Sequence, residues 1–531
     1  MKKLSAIVLF LVVAVAAFTI RSYNIEKRTP HADEAEQAYT FLKLYEKGDY
    51  AYNPNGPHGP TLYFYALATQ MMPDVDNFSM AEEASISVDS PSRPIGHQIT
   101  INHLRSSLTP ILLLILSCYL LTLSNYGTIA ALGACACFGI SSISCIYAGY
   151  FVHEIIFAAS IFIFALYVWK YLKFPSIKWA MLAGLFAGLA QATKETSIIA
   201  FFATAVATLI TIISSNDIRT KIAELNLKKI SLHCFAFILA FTVIFCAFYS
   251  SFGNNPQGIC DAFLSYIHFF DKAGSQAHSS PISYYFDILG IKKSEGAYFG
   301  EIPLMILAII GFVYAIVQKY KKLNTTRANF IIFTFVNALV AIAVLCAIPY
   351  KMPWLLLSPI VFLCVAAGYG LQFLFERKNI AVWAGSFCIA IGLLFWQFEL
   401  TSNAAIKYTE DPRNPMIYSH TVRDYKNFIA RIETAVKVSN FGENLPVAFI
   451  TQNSPWPAPW HLRNYQNIGF WNASIPQNIK DFEIVVCDSA FVDELSKTLN
   501  LEDYETEFFG LRKNLILTLF IKKPLFEEII K

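Results

Sequence analysis

Long apolar segments recur along this 531-residue chain and constrain its fold more than any other feature. A membrane-spanning helix needs about 20 apolar residues, and the overall composition is 55% hydrophobic and only 15% charged. The segments are 4–19, 104–123, 129–146, 155–171, 179–191, 197–214, 230–250, 302–317, 330–348, 354–373 and 380–396. The sequence therefore predicts an α-helical polytopic membrane protein with about eleven transmembrane helices.

The first apolar segment has two interpretations. Lys2 and Lys3 precede it, and Ala14-Val15-Ala16 resembles a cleavage signal, so it is either a signal peptide or a retained span. Both interpretations place the following loop on the outer face of the membrane.

Lysine and arginine cluster in alternate short loops, which predicts that those loops are cytoplasmic. The transmembrane domain is then 1–398, with two large outer loops at 21–103 and 251–301. The tail, 399–531, is predicted to be a small soluble α/β domain outside the cytoplasm. The resulting location is the inner (cytoplasmic) membrane.

Charge and cysteine spacing exclude other classes. The formal net charge is only +3, without a basic block, so nucleic acid is not an expected partner. The 11 cysteines show no Cys-x-x-Cys spacing, and a tight zinc site is not expected.

An acidic segment follows the first span. It reads His31-Ala32-Asp33-Glu34-Ala35-Glu36, which suggests carboxylate chemistry at the outer face. Asp33 followed by Glu36 also fits the start of a helix, with Asp33 as the N-cap. The two roles are compatible.

Two lysines lie in short loops that the charge rule assigns to the outer face, Lys194 and Lys351. An ammonium group there suits the phosphate of a lipid. The alternatives are interfacial snorkelling and, for Lys194, a simple ion pair with Glu195.

Five short motifs occur in order along the chain: Asp33-Glu34, His58-Gly59-Pro60, Thr193–Thr196, Lys351–Leu355 and Trp456–Trp460. They resemble the motifs of GT-C glycosyltransferases, of the protein mannosyltransferase and aminoarabinose transferase type. More closely, the chain resembles membrane proteins of the flippase-activity-associated family. The resemblance implies transfer of a sugar from a polyprenyl phosphate to an unidentified glycan, lipid or protein acceptor at the membrane surface.

The resemblance also implies roles for individual residues. Asp33, supported by Glu34, would be the base or a ligand of a divalent cation, and Glu154 would complete a carboxylate pair with it. For Glu154 the alternative is an ordinary helix N-terminus. The candidates for contacts with the sugar, the phosphate or the acceptor are His58, His153, Lys194, His278, Lys351, Trp456, Trp460 and Arg463.

The leading functional hypothesis is therefore a polyprenyl-phosphate-sugar-dependent glycosyltransferase. A non-catalytic protein that assists flipping of lipid-linked oligosaccharide is the alternative, and it requires the lysines but not the acids. A solute transporter is less favoured, since no inverted repeat is evident.

Overall fold

A computed structural model describes residues 3–23, 25, 28–48, 50–54, 56, 58–62, 100–274 and 279–531. The chain divides into two compact units, 1–25 with 49–71 and 105–409, and 26–48 with 72–104 and 410–531. We call them the membrane unit and the tail unit. From the sequence, the whole first outer loop was predicted to belong to the transmembrane domain. In the structure, the helix that contains Asp33 belongs to the tail unit.

The membrane unit is mostly helical in its described part. Its helices are α1 (Lys3–Ser22), α3 (Ile101–Ser106, which begins in the tail unit's range), α4 (Thr109–Leu123), α5 (Thr128–Gly139), α6 (Ser142–Tyr147), α7 (Glu154–Lys173), α8 (Ile177–Thr193), α9 (Ser197–Ser214), α10 (Asn216–Ala223), α11 (Leu227–Tyr249), α12 (Gly258–Gly274), α13 (Tyr284–Leu289), α14 (Ile302–Tyr320), α15 (Thr325–Ala347), α16 (Leu357–Phe375) and α17 (Ile380–Ser402). A short antiparallel hairpin, β1 (Ile291–Ser294) and β2 (Ala297–Gly300), precedes α14.

Within the described residues, nine helical segments are long and apolar enough to cross a membrane. They coincide with nine of the predicted spans, which confirms a multi-pass membrane protein. The predicted span 129–146 is wrong as a single helix, because it breaks into α5 and α6 at Ile140 and Ser141. The predicted span 179–191 is the 17-residue helix α8.

A buried arginine fixes α1 to the helices that follow. Arg21 donates hydrogen bonds to the Gly139 carbonyl at 3.0 Å, the Phe138 carbonyl at 3.1 Å and the Ser144 hydroxyl at 2.6 Å. These acceptors lie where α5 ends and α6 begins, so Arg21 satisfies carbonyls that the end of a helix leaves without partners.

The tail unit contains helix α2 (Ala32–Lys47) and a five-stranded sheet. The sheet consists of β3 (Val447–Thr451), β4 (Ile468–Asn472), β5 (Ile484–Asp488), β6 (Tyr504–Arg512) and β7 (Leu515–Lys522), in the order β4-β3-β5-β7-β6. The pairs that β3 forms with β4 and β5 are parallel, and the pairs that β7 forms with β5 and β6 are antiparallel. The helices are α18 (Tyr425–Val438), α19 (Ala458–His461), α20 (Val492–Thr498) and α21 (Lys523–Ile530).

Both faces of this sheet are covered. Phe428 and Ile432 of α18 pack with Val447 on one face, and Leu495 of α20 packs with Val485 on the other. The small α/β tail that the sequence predicted is therefore confirmed. Strands β4 and β6, which are less continuously apolar than the other three, were not predicted.

Candidate functional site

The candidate site of the membrane unit is built where two of the sequence motifs meet. The amide of Gly59 donates to the Thr193 carbonyl at 3.1 Å, which joins the His58-Gly59-Pro60 turn to the Thr193–Thr196 segment. A Cβ atom on Gly59 would lie 2.1 Å from the Ala192 carbonyl oxygen. Only glycine permits this approach of the two backbones.

Lys194 pairs with Glu154 rather than with the neighbouring Glu195. Its ammonium group donates to the Glu154 carboxylate, and only 5% and 6% of the two side chains are exposed. Glu154 is the first residue of α7, where the helix dipole favours a negative charge. The dipole and the lysine together stabilise a buried carboxylate that would otherwise be costly.

A second pair lies beside the first. His58 Nδ1 is 3.9 Å from a Glu195 carboxylate oxygen, and 29% and 14% of these side chains are exposed. Burial raises the pKa of Glu195, but the neighbouring His58 outweighs this effect, and the net pKa is lowered. Glu195 was not among the predicted site residues, although it belongs to the Thr-Lys-Glu-Thr motif.

His153 contacts the turn that carries His58. It is fully buried, its Nε2 lies 3.0 Å from the Gly59 carbonyl, and its ring lies edge-on to that of His58 at 5.6 Å. Burial, with the charge of His58, lowers the pKa of His153 to about 3. A neutral ring can donate Nε2–H to Gly59, so His153 positions the turn that carries His58.

A mostly apolar pocket opens at the ion pair. It is small and partly open to solvent. Glu154, Lys194 and Thr196 supply polar groups, and the remaining lining residues are Phe157, Ile199, Ala200, Ala341, Leu345, Trp354, Leu355 and Ser358. The pocket thus combines one cationic group with a largely apolar wall.

The Lys351–Leu355 motif contributes to this pocket through Trp354 and Leu355. Lys351 itself is buried, and its ammonium group donates to the Ile348 carbonyl at 2.5 Å. Binding of a phosphate by Lys351 stays a prediction. His278 lies outside the described residues.

The acidic motif of the tail unit begins α2, but with a different cap from the one predicted. His31 is the N-cap: its side chain accepts from the Asp33 amide at 3.1 Å, and the Glu34 carboxylate accepts from the His31 amide at 3.2 Å. The prediction of Asp33 as the cap is therefore wrong. Glu34 is fully buried in this capping box, whereas 44% of the Asp33 side chain is exposed.

Arg512 binds the backbone of the Trp456–Trp460 motif inside the tail unit and is influenced by the charge of Asp33. Burial lowers the pKa of Arg512, and the negative charge of Asp33 acts in the opposite direction. The guanidinium donates to the carbonyls of Trp456 at 2.5 Å and Ser454 at 3.2 Å. The Trp456 ring packs edge-on against Tyr39 of α2 at 5.6 Å.

The other two predicted residues of the tail contact each other. Trp460 is buried, the Arg463 guanidinium lies 4.0 Å from the centre of its ring, and Arg463 donates to the Trp460 carbonyl at 2.7 Å. This contact stabilises the motif. Binding of a sugar or an anionic acceptor by these residues stays a prediction.

A divalent cation has no ready-made site among the described residues, where no three His, Cys, Asp or Glu side chains are arranged to hold one. The Glu154 carboxylate is already neutralised by Lys194. Asp33 belongs to the other unit, and its joint action with Glu154 stays a prediction, as does the cation.

Solved structures include chains that are similar to this protein over nearly its full length. The chain is similar to ArnT from Cupriavidus metallidurans bound to undecaprenyl phosphate, with a TM-score of 0.60, 12% identity and coverage of 98% of both chains. The same protein in the apo state gives a TM-score of 0.59 at 12% identity, covering 99% of both chains.

The chain has the GT-C fold. Arabinofuranosyltransferase AftD from Mycobacteria is also similar, at 8% identity over 98% of this chain and 40% of that one, but its TM-score of 0.47 is too low to support an argument. No protein-family model matches the sequence, and no curated protein matches it. The predicted fold class is confirmed, while the closer resemblance to the flippase-associated family stays a prediction.

Proposed function

We propose that this protein is a polyprenyl-phosphate-sugar-dependent glycosyltransferase that acts at the outer face of the cytoplasmic membrane. The observation that carries the proposal is the Glu154–Lys194 ion pair at the wall of an apolar pocket, in a chain with the fold of ArnT. ArnT has been solved with undecaprenyl phosphate, a lipid of the same chemical class. The distribution of basic residues along the sequence supports the outer face.

The pocket suits the two chemically different parts of such a donor. A polyprenyl phosphate joins an anionic head to an apolar chain. Lys194 offers an ammonium group for the phosphate, and Phe157, Ile199 and Leu345 offer apolar surface for the first prenyl units. Contact with a phosphate oxygen in a site of low dielectric stabilises the charge that develops as the sugar leaves.

The donor phosphate and Glu154 compete for the same lysine. In the structure, Glu154 neutralises Lys194. A phosphate that binds Lys194 replaces one anionic partner by another. The ion pair between Lys194 and Glu154 is then weaker. The carboxylate then becomes a better hydrogen-bond acceptor for a hydroxyl group in the pocket, so donor binding prepares the site for an acceptor.

The reaction requires an acceptor oxygen, a base and a leaving phosphate. The acceptor hydroxyl attacks the anomeric carbon, the bond from that carbon to the phosphate oxygen breaks, and polyprenyl phosphate leaves. A carboxylate takes the hydroxyl proton. Asp33 is the candidate base because its side chain is partly exposed, and Glu34 acts indirectly by holding the helix start that presents Asp33.

The test is turnover by the purified protein in proteoliposomes. Undecaprenyl phosphates that carry glucose, mannose or aminoarabinose serve as donors, a cell-envelope extract supplies acceptors, and mass spectrometry measures the undecaprenyl phosphate released. We expect release with one donor, and a loss of at least 100-fold in Asp33→Asn. Glu36→Gln, which removes a carboxylate one turn further along α2, is the matched control and should retain the activity.

Binding without release would favour the alternative function. If the wild-type protein binds undecaprenyl phosphate but releases none from any donor, and Lys194→Gln abolishes the binding, a non-catalytic role in flipping fits better than transfer. Equal turnover in Asp33→Asn and the wild type would reject Asp33 as the base.

A further inference from the structure

The carboxyl ends of three parallel strands meet at one edge of the tail sheet. Strands β3, β4 and β5 end at Thr451, Asn472 and Asp488, and their parallel registers bring these ends together. Each strand then continues into an exposed segment of the chain. We call the residues that end or follow the three strands the carboxyl rim, namely 452–454, 472–474 and 489–490.

The strand order reverses at β3. The chain passes from β3 to β4 on one side and then crosses back to β5 on the other side. The connection after β3 packs on the sheet face of Phe449, through Leu462. The connections after β4 and β5 pack on the opposite face, that of Ile450, through Ile479 and Leu495. Where neighbouring strands send their connections to opposite faces, a crevice forms beyond the carboxyl ends, and α/β sheets bind ligands there.

A buried carboxylate fixes the two loops that border this crevice. Asp488 is only 1% exposed. One of its oxygens accepts from the Thr451 hydroxyl at 2.7 Å, the Gln452 amide at 2.9 Å and the Asn453 side-chain amide at 3.1 Å. Its other oxygen accepts from the Ala490 amide at 3.1 Å. Hydrogen bonds to a charged group are strong, so Asp488 joins the start of the loop after β3 to the start of the loop after β5.

The loop after β3 is fixed a second time further along the chain. The Arg512 guanidinium donates to the carbonyls of Ser454 at 3.2 Å and Trp456 at 2.5 Å. Asp488 therefore holds the beginning of this loop and Arg512 holds its middle. A loop that is ordered before binding spares a ligand the entropic cost of ordering it.

The carboxyl rim is polar but contains no charged residue. Its exposed amide and hydroxyl side chains are Gln452, Asn453, Ser454, Asn472, Ser474 and Ser489. Asn453 donates to Asp488. The other five side chains form no hydrogen bond with any other part of the described chain. Their donors and acceptors are therefore available to a ligand.

This composition indicates the chemical class of the ligand. A phosphate or carboxylate would require Lys or Arg at the rim, and a divalent cation would require carboxylate oxygens. Amides and hydroxyls instead both donate and accept, which matches the neutral hydroxyl groups of a sugar. The three strand ends span about 10 Å, comparable with the length of a short oligosaccharide.

We propose that the carboxyl rim of the tail sheet binds a neutral oligosaccharide. Gln452, Ser454 and Asn472 exchange hydrogen bonds with its hydroxyl groups, and Asp488 positions the loops without touching the sugar. The proposal concerns binding by the tail unit, and it does not depend on the glycosyltransferase function.

A glycan array tests the proposal with the full-length protein in nanodiscs. The array carries neutral oligosaccharides of glucose, mannose, galactose and N-acetylglucosamine beside anionic ones of galacturonic acid and sialic acid. We expect binding to at least one neutral oligosaccharide, and binding at least tenfold weaker in the double variant Gln452→Ala/Asn472→Ala. Gln466→Ala is the matched control, because it removes an exposed amide before β4, at the opposite edge of the sheet. It should bind like the wild type.

The double variant removes exposed side chains, so its melting temperature should equal that of the wild type and loss of binding would not reflect unfolding. Hydrogen exchange gives a second measurement: the bound oligosaccharide should slow exchange in peptides that cover 452–454 and 472–474. Three results would overturn the proposal. These are no binding of any neutral oligosaccharide, binding of anionic ones alone, and equal affinity of the double variant and the control, which would place the sugar elsewhere on the protein.

Discussion

Lys194 donates a hydrogen bond to the carboxylate of Glu154, 40 residues earlier in the chain, and only 5% and 6% of the two side chains are exposed. One partner begins a membrane-spanning helix and the other lies in the connection between α8 and α9. Both face the apolar pocket. The pair therefore links the stability of the membrane unit to the chemistry that we propose for it.

Removal of one partner should destabilise the protein more than removal of both. Lys194→Met leaves a buried carboxylate without its cation, and breaking a buried pair in this way costs about 3–5 kcal/mol. In the double variant Lys194→Met/Glu154→Leu no buried charge remains, and we expect it to unfold at a higher temperature than Lys194→Met. The measurement is thermal unfolding in detergent, followed by a thiol-reactive dye that reports exposure of the buried cysteines. If the effects of the two single changes simply add, the pair is not coupled.

The contact between the His58-Gly59-Pro60 turn and the Thr193–Thr196 segment should require that residue 59 has no side chain. Gly59→Ala brings a methyl group to 2.1 Å from the Ala192 carbonyl oxygen, so the turn must move. We expect a loss of about 1–3 kcal/mol and weaker binding of undecaprenyl phosphate, measured by native mass spectrometry. Gly385→Ala in α17 meets no atom within 4 Å and is the control. Equal melting temperatures and affinities for both variants would show that the turn tolerates the shift.

Glu301 should make the stability of the membrane unit depend on pH. Burial raises its pKa from 4.5 to about 7, although the Ile143 amide, the Ser141 hydroxyl and the Gln397 amide donate to it. Between these values the folded protein binds a proton that the unfolded chain does not, so stability falls as pH rises from about 4.5 to 7 and is then constant. The shift corresponds to about 3 kcal/mol.

The measurement is the difference in melting temperature between the wild type and Glu301→Gln at pH 5 and pH 8. Since the glutamine cannot ionise, the variant should gain stability relative to the wild type as pH rises. The exposed Glu224→Gln is the control and should show no such trend. A difference that stays constant from pH 5 to pH 8 would indicate that Glu301 is ionised throughout this range.

Apolar periodicity was sufficient to predict most of the fold. Nine spans and three strands of the tail sheet follow from runs of apolar residues, because burial in lipid or in a two-sided core requires such runs. The break between α5 and α6 could not be predicted in the same way. Ile140, Ser141 and Ser142 continue an apolar segment without proline, and the helix ends there because Glu301 and Arg21, both distant in sequence, provide alternative hydrogen-bond partners.

The candidate site was predicted only in part. Motifs identified His58 and Lys194, and the position at the end of a span identified Glu154, but partner choice depends on tertiary contacts. The sequence neighbour Glu195 was the obvious partner for Lys194, yet α7 brings Glu154 to Lys194 and the His58 turn brings His58 to Glu195. Likewise, Asp33 has the better capping side chain, but the helix begins at Ala32, so His31 is the cap and Glu34 completes the capping box.

The most direct test of the central claim compares donor binding and turnover in Glu154→Gln. The proposed competition predicts that this variant binds undecaprenyl phosphate at least as tightly as the wild type, because Lys194 is released from its carboxylate. It should nevertheless release undecaprenyl phosphate from the sugar-loaded donor at least 100-fold more slowly. Binding and release are measured in the same proteoliposomes by mass spectrometry. Turnover by Glu154→Gln at the wild-type rate, or loss of binding together with turnover, would contradict the account.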